Sequence, residues 1–406
     1  IPDVGRGQEG AIQATINGFN ALAGELAQAN PQTLVVISPH GQGHGDALGV
    51  LTAPRCTGDM HQWGSATPQV TYSNDLELVA ALQQEAEKAH IPLKTIGEQS
   101  YQLDHGVMVP LHFLGERVTG LPLVPMTFSW LPLPYHLALG QALRIAAEKT
   151  GRRVAVIASG DLSHRLTPTA PAGYDPQGEV FDQQVVRAIR ETDYEALVNM
   201  NPLLIERAGE CGLRSIVILM GALEGLEVRP QVHSYEGPFG VGYLVASLPV
   251  KGNRQPHPIA RLARDTVESH IRGGKAPQPG ELTPEMKGRA GVFVSIKKFG
   301  ELRGCIGTFE PQRENVAMET IANAISSATQ DPRFYPVSAE ELPYLAYSVD
   351  ILTRPQKVAD KSTLDPRRYG VIVEYKGRRG LLLPDLKGVE TLDEQLLICC
   401  RKAGIS

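Results

Sequence analysis

Arg153-Val-Ala-Val-Ile-Ala-Ser-Gly-Asp-Leu-Ser-His164 repeats the pattern of Thr33-Leu-Val-Val-Ile-Ser-Pro-His40. Each is a short apolar run that ends in polar residues. A strand buried on both faces of a central sheet reads this way, with function at its carboxyl end. Helical spacing surrounds the two runs. Ile12, Ile16, Phe19, Ala23 and Leu26 predict a helix over residues 11–28. Asn74 is placed to cap a helix running to about His90. Residues 135–149 read as a helix and 213–223 as a buried one. Residues 92–96 and 123–128 read as strands, and 242–248 as a closing strand. Strands alternate with helices up to about residue 250, which predicts an α/β layered domain over 1–250.

Lys251-Gly-Asn-Arg-Gln-Pro-His-Pro258 is polar, carries two prolines and reads as a linker. A smaller α+β unit is expected over 258–406. It has a helix at 259–271, a Gly/Pro-rich stretch at 273–280, strands at 291–296 and 345–352, and a helix at 314–328. Only ten residues precede the first helix, and Lys402-Ala-Gly-Ile-Ser406 follows the last one closely. Both ends therefore read as clipped.

Composition sets bounds on function. At about 150 residues per domain, 406 residues suggest two or three domains. Apolar residues make up 42%, too many for a disordered chain, and 41 Gly and 30 Pro predict many turns. The net charge of −5 argues against nucleic-acid binding through bulk charge. No apolar run approaches the roughly 18 residues of a membrane span, and the start does not read as a signal peptide. Cys56, Cys211, Cys305, Cys399 and Cys400 are too few and scattered for a disulfide framework, so a reducing cytoplasm is expected.

Four segments bear the candidate chemistry: Ser38-Pro-His40-Gly41, Asp104-His105-Gly106, Ser159-Gly-Asp161-Leu-Ser-His164 and Gly209-Glu210-Cys211-Gly212. Two lie at the ends of predicted strands. His with a carboxylate is the donor set of a non-haem iron site with open positions for substrate and O2. The plainer readings stay open at this point. A single His at a strand end is ordinarily a hydrogen-bonded loop residue, and Cys211 alone reads as a small core residue.

Val35-Val-Ile-Ser-Pro-His40-Gly, Leu103-Asp-His105-Gly-Val-Met-Val-Pro-Leu111, Ser159-Gly-Asp161-Leu-Ser-His164 and Glu210-Cys-Gly-Leu-Arg-Ser215 resemble the class III extradiol ring-cleavage dioxygenases. These are the LigB-type enzymes and their Memo-like relatives. The resemblance covers about residues 1–250. It implies Fe(II)-dependent opening of a catechol-type ring with O2. It makes His40 a metal ligand and Glu210 the carboxylate ligand. Cys211 is the alternative ligand, as in Memo-like proteins, and Glu210 is favoured because a hard carboxylate suits Fe(II). His164 is then the acid/base, Asp161 orients it, and His105 helps hold substrate or O2. A further His ligand is expected upstream of Ile1, in a segment before Pro2-Asp-Val-Gly5. The acid/base His is expected to have a pKa close to neutral.

In the second unit, Glu301-Leu-Arg303-Gly-Cys305-Ile-Gly-Thr308 sets a Cys between glycines beside an Arg, and Asp331-Pro-Arg333-Phe334 follows. Arg303 could lower the thiol pKa and make Cys305 nucleophilic; the alternative is a buried Cys with Arg303 in a salt bridge. Leu302-Arg-Gly-Cys-Ile-Gly307, Asp331-Pro-Arg-Phe334 and Gly380-Leu-Leu-Leu-Pro384 resemble the AMMECR1 domain, over about 258–406. The fusion resembles the prokaryotic AmmeMemoRadiSam systems. The Cys-x3-Cys-x2-Cys triplet of their radical-SAM member is absent from this sequence, so that partner is expected as a separate chain.

The leading expectation is thus an iron extradiol dioxygenase acting on a small aromatic substrate and O2. It is expected to form a homo-oligomer and to bind neither nucleic acid nor membrane. One rival is a Zn(II)-dependent hydrolase on the same scaffold. The other is a metal-binding or partner-binding protein without turnover.

Overall fold

The computed structural model describes residue 5 and residues 7–405, apart from 66–68, 98, 100, 254–255, 281 and 387. The Ile1 to Val4 stretch, Ser406 and the central two residues of the expected linker lie outside the described residues. The chain divides into two compact units, Ile1–Pro256 with Lys298–Glu301, and His257–Lys297 with Leu302–Ser406.

The first unit is built on five strands: Thr33–Ser38 (β1), Leu48–Leu51 (β2), Leu93–Ile96 (β3), Leu123–Thr127 (β4) and Val154–Ala158 (β5). They form one sheet in the order β3-β2-β4-β1-β5. β1 is parallel to both β4 and β5. β2 is parallel to β3 but antiparallel to β4. Every residue of β1 is buried, as the unbroken Leu-Val-Val-Ile run requires of a strand covered on both faces. Pro125 lies inside β4, where a missing N–H ordinarily excludes proline. The β2–β4 ladder pairs only Val50 with Met126 and Gly49 with Thr127, beyond that residue.

Helices Gln13–Ala29 (α1), Leu76–Lys88 (α2), His105–Leu114 (α3), Leu133–Thr150 (α4), Gln177–Glu191 (α5) and Leu213–Leu223 (α6) cover the sheet. Leu34 and Val36 of β1 share a core with Val107 and Leu111 of α3. A second core joins Leu137, Phe181, Val185, Leu213 and Val217. Burying each such side chain contributes about 1.5–3 kcal/mol, so these cores fix where the strand ends lie.

Three details differ from the sequence reading. The α2 cap is Asp75, not Asn74: Asp75 accepts the Leu78 N–H at 3.1 Å. Asn74 instead donates its amide to the carbonyls of Leu51 and Ala53, both at 2.9 Å. The strand expected to close the sheet, Tyr243–Ser247, pairs antiparallel with Gln231–Glu236 in a separate two-stranded sheet. Residues 251–253, read as linker, belong to the strand Val250–Asn253, which pairs with Leu226–Val228. Its polar sequence hides the strand, because both its neighbours and its exposure leave no apolar alternation to read.

The second unit is α+β. Val292–Lys298, Glu301–Gly307 and Leu345–Ile351 form a three-stranded sheet with Val292–Lys298 in the middle. Helices Pro258–Ile271 and Val316–Thr329 share its core through Leu262, Val267, Val294, Ile296 and Ile321. A hairpin, Val371–Tyr375 with Arg378–Leu382, packs with the helix Leu392–Ala403 through Val371, Leu382 and Cys399.

Candidate metal centre

Neighbouring parallel strands release their loops at the same end of a sheet, and sheet-based sites form there. β1 and β5 do so here. The Ser159 N–H still reaches the Ile37 carbonyl at 2.9 Å, so the loop carrying His40 and the loop carrying Asp161 and His164 start side by side. Two helix starts complete the site: α3 opens at His105, and the Glu210-Cys211-Gly212 turn leads into α6.

On the β1 side, Asp104 caps α3 by accepting the Gly106 N–H at 2.8 Å. The same oxygen accepts the Ser38 hydroxyl at 2.5 Å, and Ser38 Oγ in turn accepts the His40 N–H at 3.2 Å. This chain ties the end of β1 to the start of α3. Its result is a stack of the His40 and His105 rings, with centroids 4.1 Å apart and planes 23° apart. Trp63 meets His105 edge-on at 5.2 Å. Burial, and then the neighbouring His105, hold the His40 pKa below the ordinary imidazole value.

On the β5 side, one donor atom each from Asp161, His164 and Cys211 lies within 4.8 Å of the other two. His164 Nε2 is 3.4 Å from Asp161 Oδ2 and 3.8 Å from Cys211 Sγ. The Asp161 N–H donates to the Cys211 sulfur at 3.1 Å. The Asp161 carboxylate and then Cys211 raise the His164 pKa to about 10. The expectation was a His poised near neutrality; here the imidazolium is favoured, because the Asp161 carboxylate and the Cys211 sulfur face one ring nitrogen.

Of the two adjacent candidate ligands, Cys211 enters the triangle and Glu210 does not. Glu210 accepts the Leu213 N–H at 2.6 Å and lies 3.6 Å from the Arg214 guanidinium. Burial raises its pKa, partly offset by that N–H and Arg214. Arg214 also stacks on Trp130 at 4.7 Å. The sequence reading missed Ser38, Trp63 and Arg214. Only Ser38 carried a local signal, since a hydroxyl two residues before His40 can accept that residue's N–H.

In the second unit, Asp331 accepts the Cys305 N–H at 2.8 Å and pairs with Arg333 at 2.7 Å. Arg333 donates to the Cys305 carbonyl at 3.2 Å, and the Ser295 hydroxyl donates to the Cys305 sulfur at 3.2 Å. Arg333, more than any other group, holds the Asp331 carboxyl down at about 2. Arg303 takes the salt-bridged arrangement of the two expected, as a bidentate pair with Glu341 at 3.0 and 2.9 Å, and the guanidinium that touches Cys305 is that of Arg333, itself paired with Asp331. Among the described residues, no helix is long and apolar enough to cross a membrane.

Comparison with known proteins gives these units their relatives. Residues 1–246 match the family described as the catalytic LigB subunit of aromatic ring-opening dioxygenase, and residues 260–406 match AMMECR1. A Clostridium acetobutylicum protein is 36% identical over 436 residues, covering 100% of this chain and 93% of its own. A Thermotoga maritima protein is 53% identical over 152 residues, covering 37% of this chain and 87% of its own. A solved structure of an uncharacterized Pyrococcus horikoshii protein is 36% identical, covering 36% of this chain and 78% of its own, with a TM-score of 0.33. Matched over more than half its length by the one family model, and along all of it by a relative, the chain belongs to the LigB family, which includes extradiol dioxygenases, with an AMMECR1 domain fused behind.

Proposed function

We propose that the LigB-type unit is an Fe(II)-dependent enzyme that opens a small dihydroxylated aromatic ring with O2. The observation that carries this reading is the meeting of Asp161, His164 and Cys211 beside the stacked His40 and His105. Cys211 supplies a thiol donor suited to a first-row cation, and His164 and Asp161 lie within 4.8 Å of it to serve as the proton-handling pair. In this reading His40 and Cys211 hold the metal, with a further His from upstream of Ile1, as the resemblance implies. Fe(II), when bound, supplies a redox-active Lewis acid with room for a catechol and O2.

The remaining residues bind and move protons. His164, whose charged form Asp161 and Cys211 favour, is the group that exchanges a proton with the substrate. Asp161 aims Nε2 and stabilises the imidazolium, as carboxylates behind functional imidazoles commonly do. His105 offers an aromatic face, and Trp63 backs its edge. The fused chain works as a homo-oligomer in the cytoplasm, with a separate radical-SAM protein as partner.

One observation favours a second reading. Cys211 is a soft ligand, and thiolate suits Zn(II) or Cu(I) better than it suits Fe(II). A Zn(II) site would support hydrolysis, or metal binding without turnover. Two variants separate the roles. His164→Ala should keep its metal and lose about 10²–10⁴ in rate, the usual worth of an acid/base group. His40→Ala should lose the metal itself. If His164→Ala strips the metal, His164 is a ligand and the assignment fails.

A further inference from the structure

The turn that carries Cys211 is held from both sides. Cys211 donates its N–H to the Asp161 carbonyl at 3.2 Å, while the Asp161 N–H returns to the Cys211 sulfur at 3.1 Å. The two loops meet backbone to backbone. A Cβ on Gly160, whose φ is +142°, would lie 2.6 Å from Gly212 Cα and 2.8 Å from the Cys211 carbonyl oxygen. A Cβ on Gly212 would lie 2.9 Å from the Asp161 carbonyl oxygen. Only glycine at both places lets the sulfur come this close.

What fixes the far side of the turn is Glu210. Its side chain is only 3% exposed. Its carboxylate takes the Leu213 N–H at 2.6 Å, one of the free donors at the start of α6, and faces Arg214 across the first turn. A buried carboxylate with no such partners would be costly, so these contacts lock the side chain and with it the Cys211 backbone.

We infer that Glu210 is a positioning residue, whose carboxylate clamps the Glu210 to Leu213 turn so that the Cys211 sulfur faces Asp161 and His164. The inference rests on the reading of Cys211 as a metal ligand. It replaces ligation by Glu210 with support of its neighbour.

Glu210→Gln keeps an oxygen that can accept the Leu213 N–H. Glu210→Ala removes it. The test loads full-length wild type and both variants with Co(II) and reads the sulfur-to-cobalt charge-transfer band, which appears only when a thiolate binds the ion. Expected are a wild-type band, a Gln variant within about twofold of it in affinity, and an Ala variant weaker by about 10- to 100-fold, the usual effect of removing a group that supports a ligand. Loss of Co(II) in both variants, with no thiolate band in wild type, would make Glu210 the ligand and overturn the inference. An unchanged band in Glu210→Ala would overturn it as well.

Amide exchange of metal-free protein over residues 159–164 and 210–213 gives a second reading. It should rise in the Ala variant and stay at the wild-type rate in the Gln variant. If wild type shows no thiolate band but exchange follows that pattern, the metal reading fails while the clamp stands. Equal exchange in all three proteins rules the clamp out.

Discussion

Replacing Asp104 with Ala should loosen the start of α3 and the His40–His105 stack together. Two interactions are lost at one carboxylate. The cap on Gly106 N at 2.8 Å is worth about 1 kcal/mol. The bond from the Ser38 hydroxyl at 2.5 Å is made to a charged acceptor and is worth about 1.5–3 kcal/mol. The two share an oxygen, so they do not add fully, and a net cost of about 2–3.5 kcal/mol follows. At about 1.4 kcal/mol per decade, amide exchange at Gly106, Val107 and Met108 should speed up by about 30- to 300-fold. Asp104→Asn is the control, because Asn caps about as well as Asp and can still accept the Ser38 hydroxyl. Exchange in that variant should stay within about tenfold of wild type. Equal acceleration in both variants would show that the carboxylate charge, and not the acceptor geometry, ties β1 to α3.

Two more tests use titratable groups. Arg333 depresses the Asp331 pKa to about 2, so its contribution, about 2 kcal/mol by linkage, is present above the unfolded carboxylate value near 4 and is lost as pH falls toward 2. Asp331→Asn should flatten that part of the second unit's acid unfolding curve; an unchanged curve would remove Asp331 as its cause. Cys56 is buried, which pushes its thiol up to about 12, so native protein should resist iodoacetamide there. Cys305, only half-buried, should label before Cys56. Labelling no faster than that of Cys56 would return Cys305 to a packing role.

Much of the α/β frame was legible because its signals are local. The Leu34 to Ile37 run and its echo at 154–158 announced two neighbouring parallel strands with their loops on one edge, although only the first is buried throughout and the second is half-buried along its length. The antiparallel β2 was not legible, since Leu48-Gly-Val-Leu51 is too short to distinguish its direction. Asn74 misled because Asn and Asp are equal as caps by residue type. The choice fell to Asp75, which also takes Thr33 and Arg152 from other elements.

The site divides the same way. His40, Asp161 and His164 stand at strand ends, where sequence pattern and sheet geometry agree. Glu210 and Cys211 are adjacent, and no periodicity tells which of them faces inward. That choice is made by long-range contacts, the Asp161 N–H on the sulfur and the Gly160–Gly212 approach. The His164 pKa was legible only in part, because Asp161, its largest cause, is three residues away but Cys211 is 47 residues away.

The central claim is iron-dependent oxygen chemistry at the Asp161, His164 and Cys211 cluster, and the most direct measurement is metal content with O2 uptake on one sample. Full-length protein purified without air should hold about one Fe(II) per chain and consume O2 when a catechol is added, in step with ring opening. Zinc in place of iron, or a full complement of iron with no O2 uptake across a panel of catechols, would contradict the account.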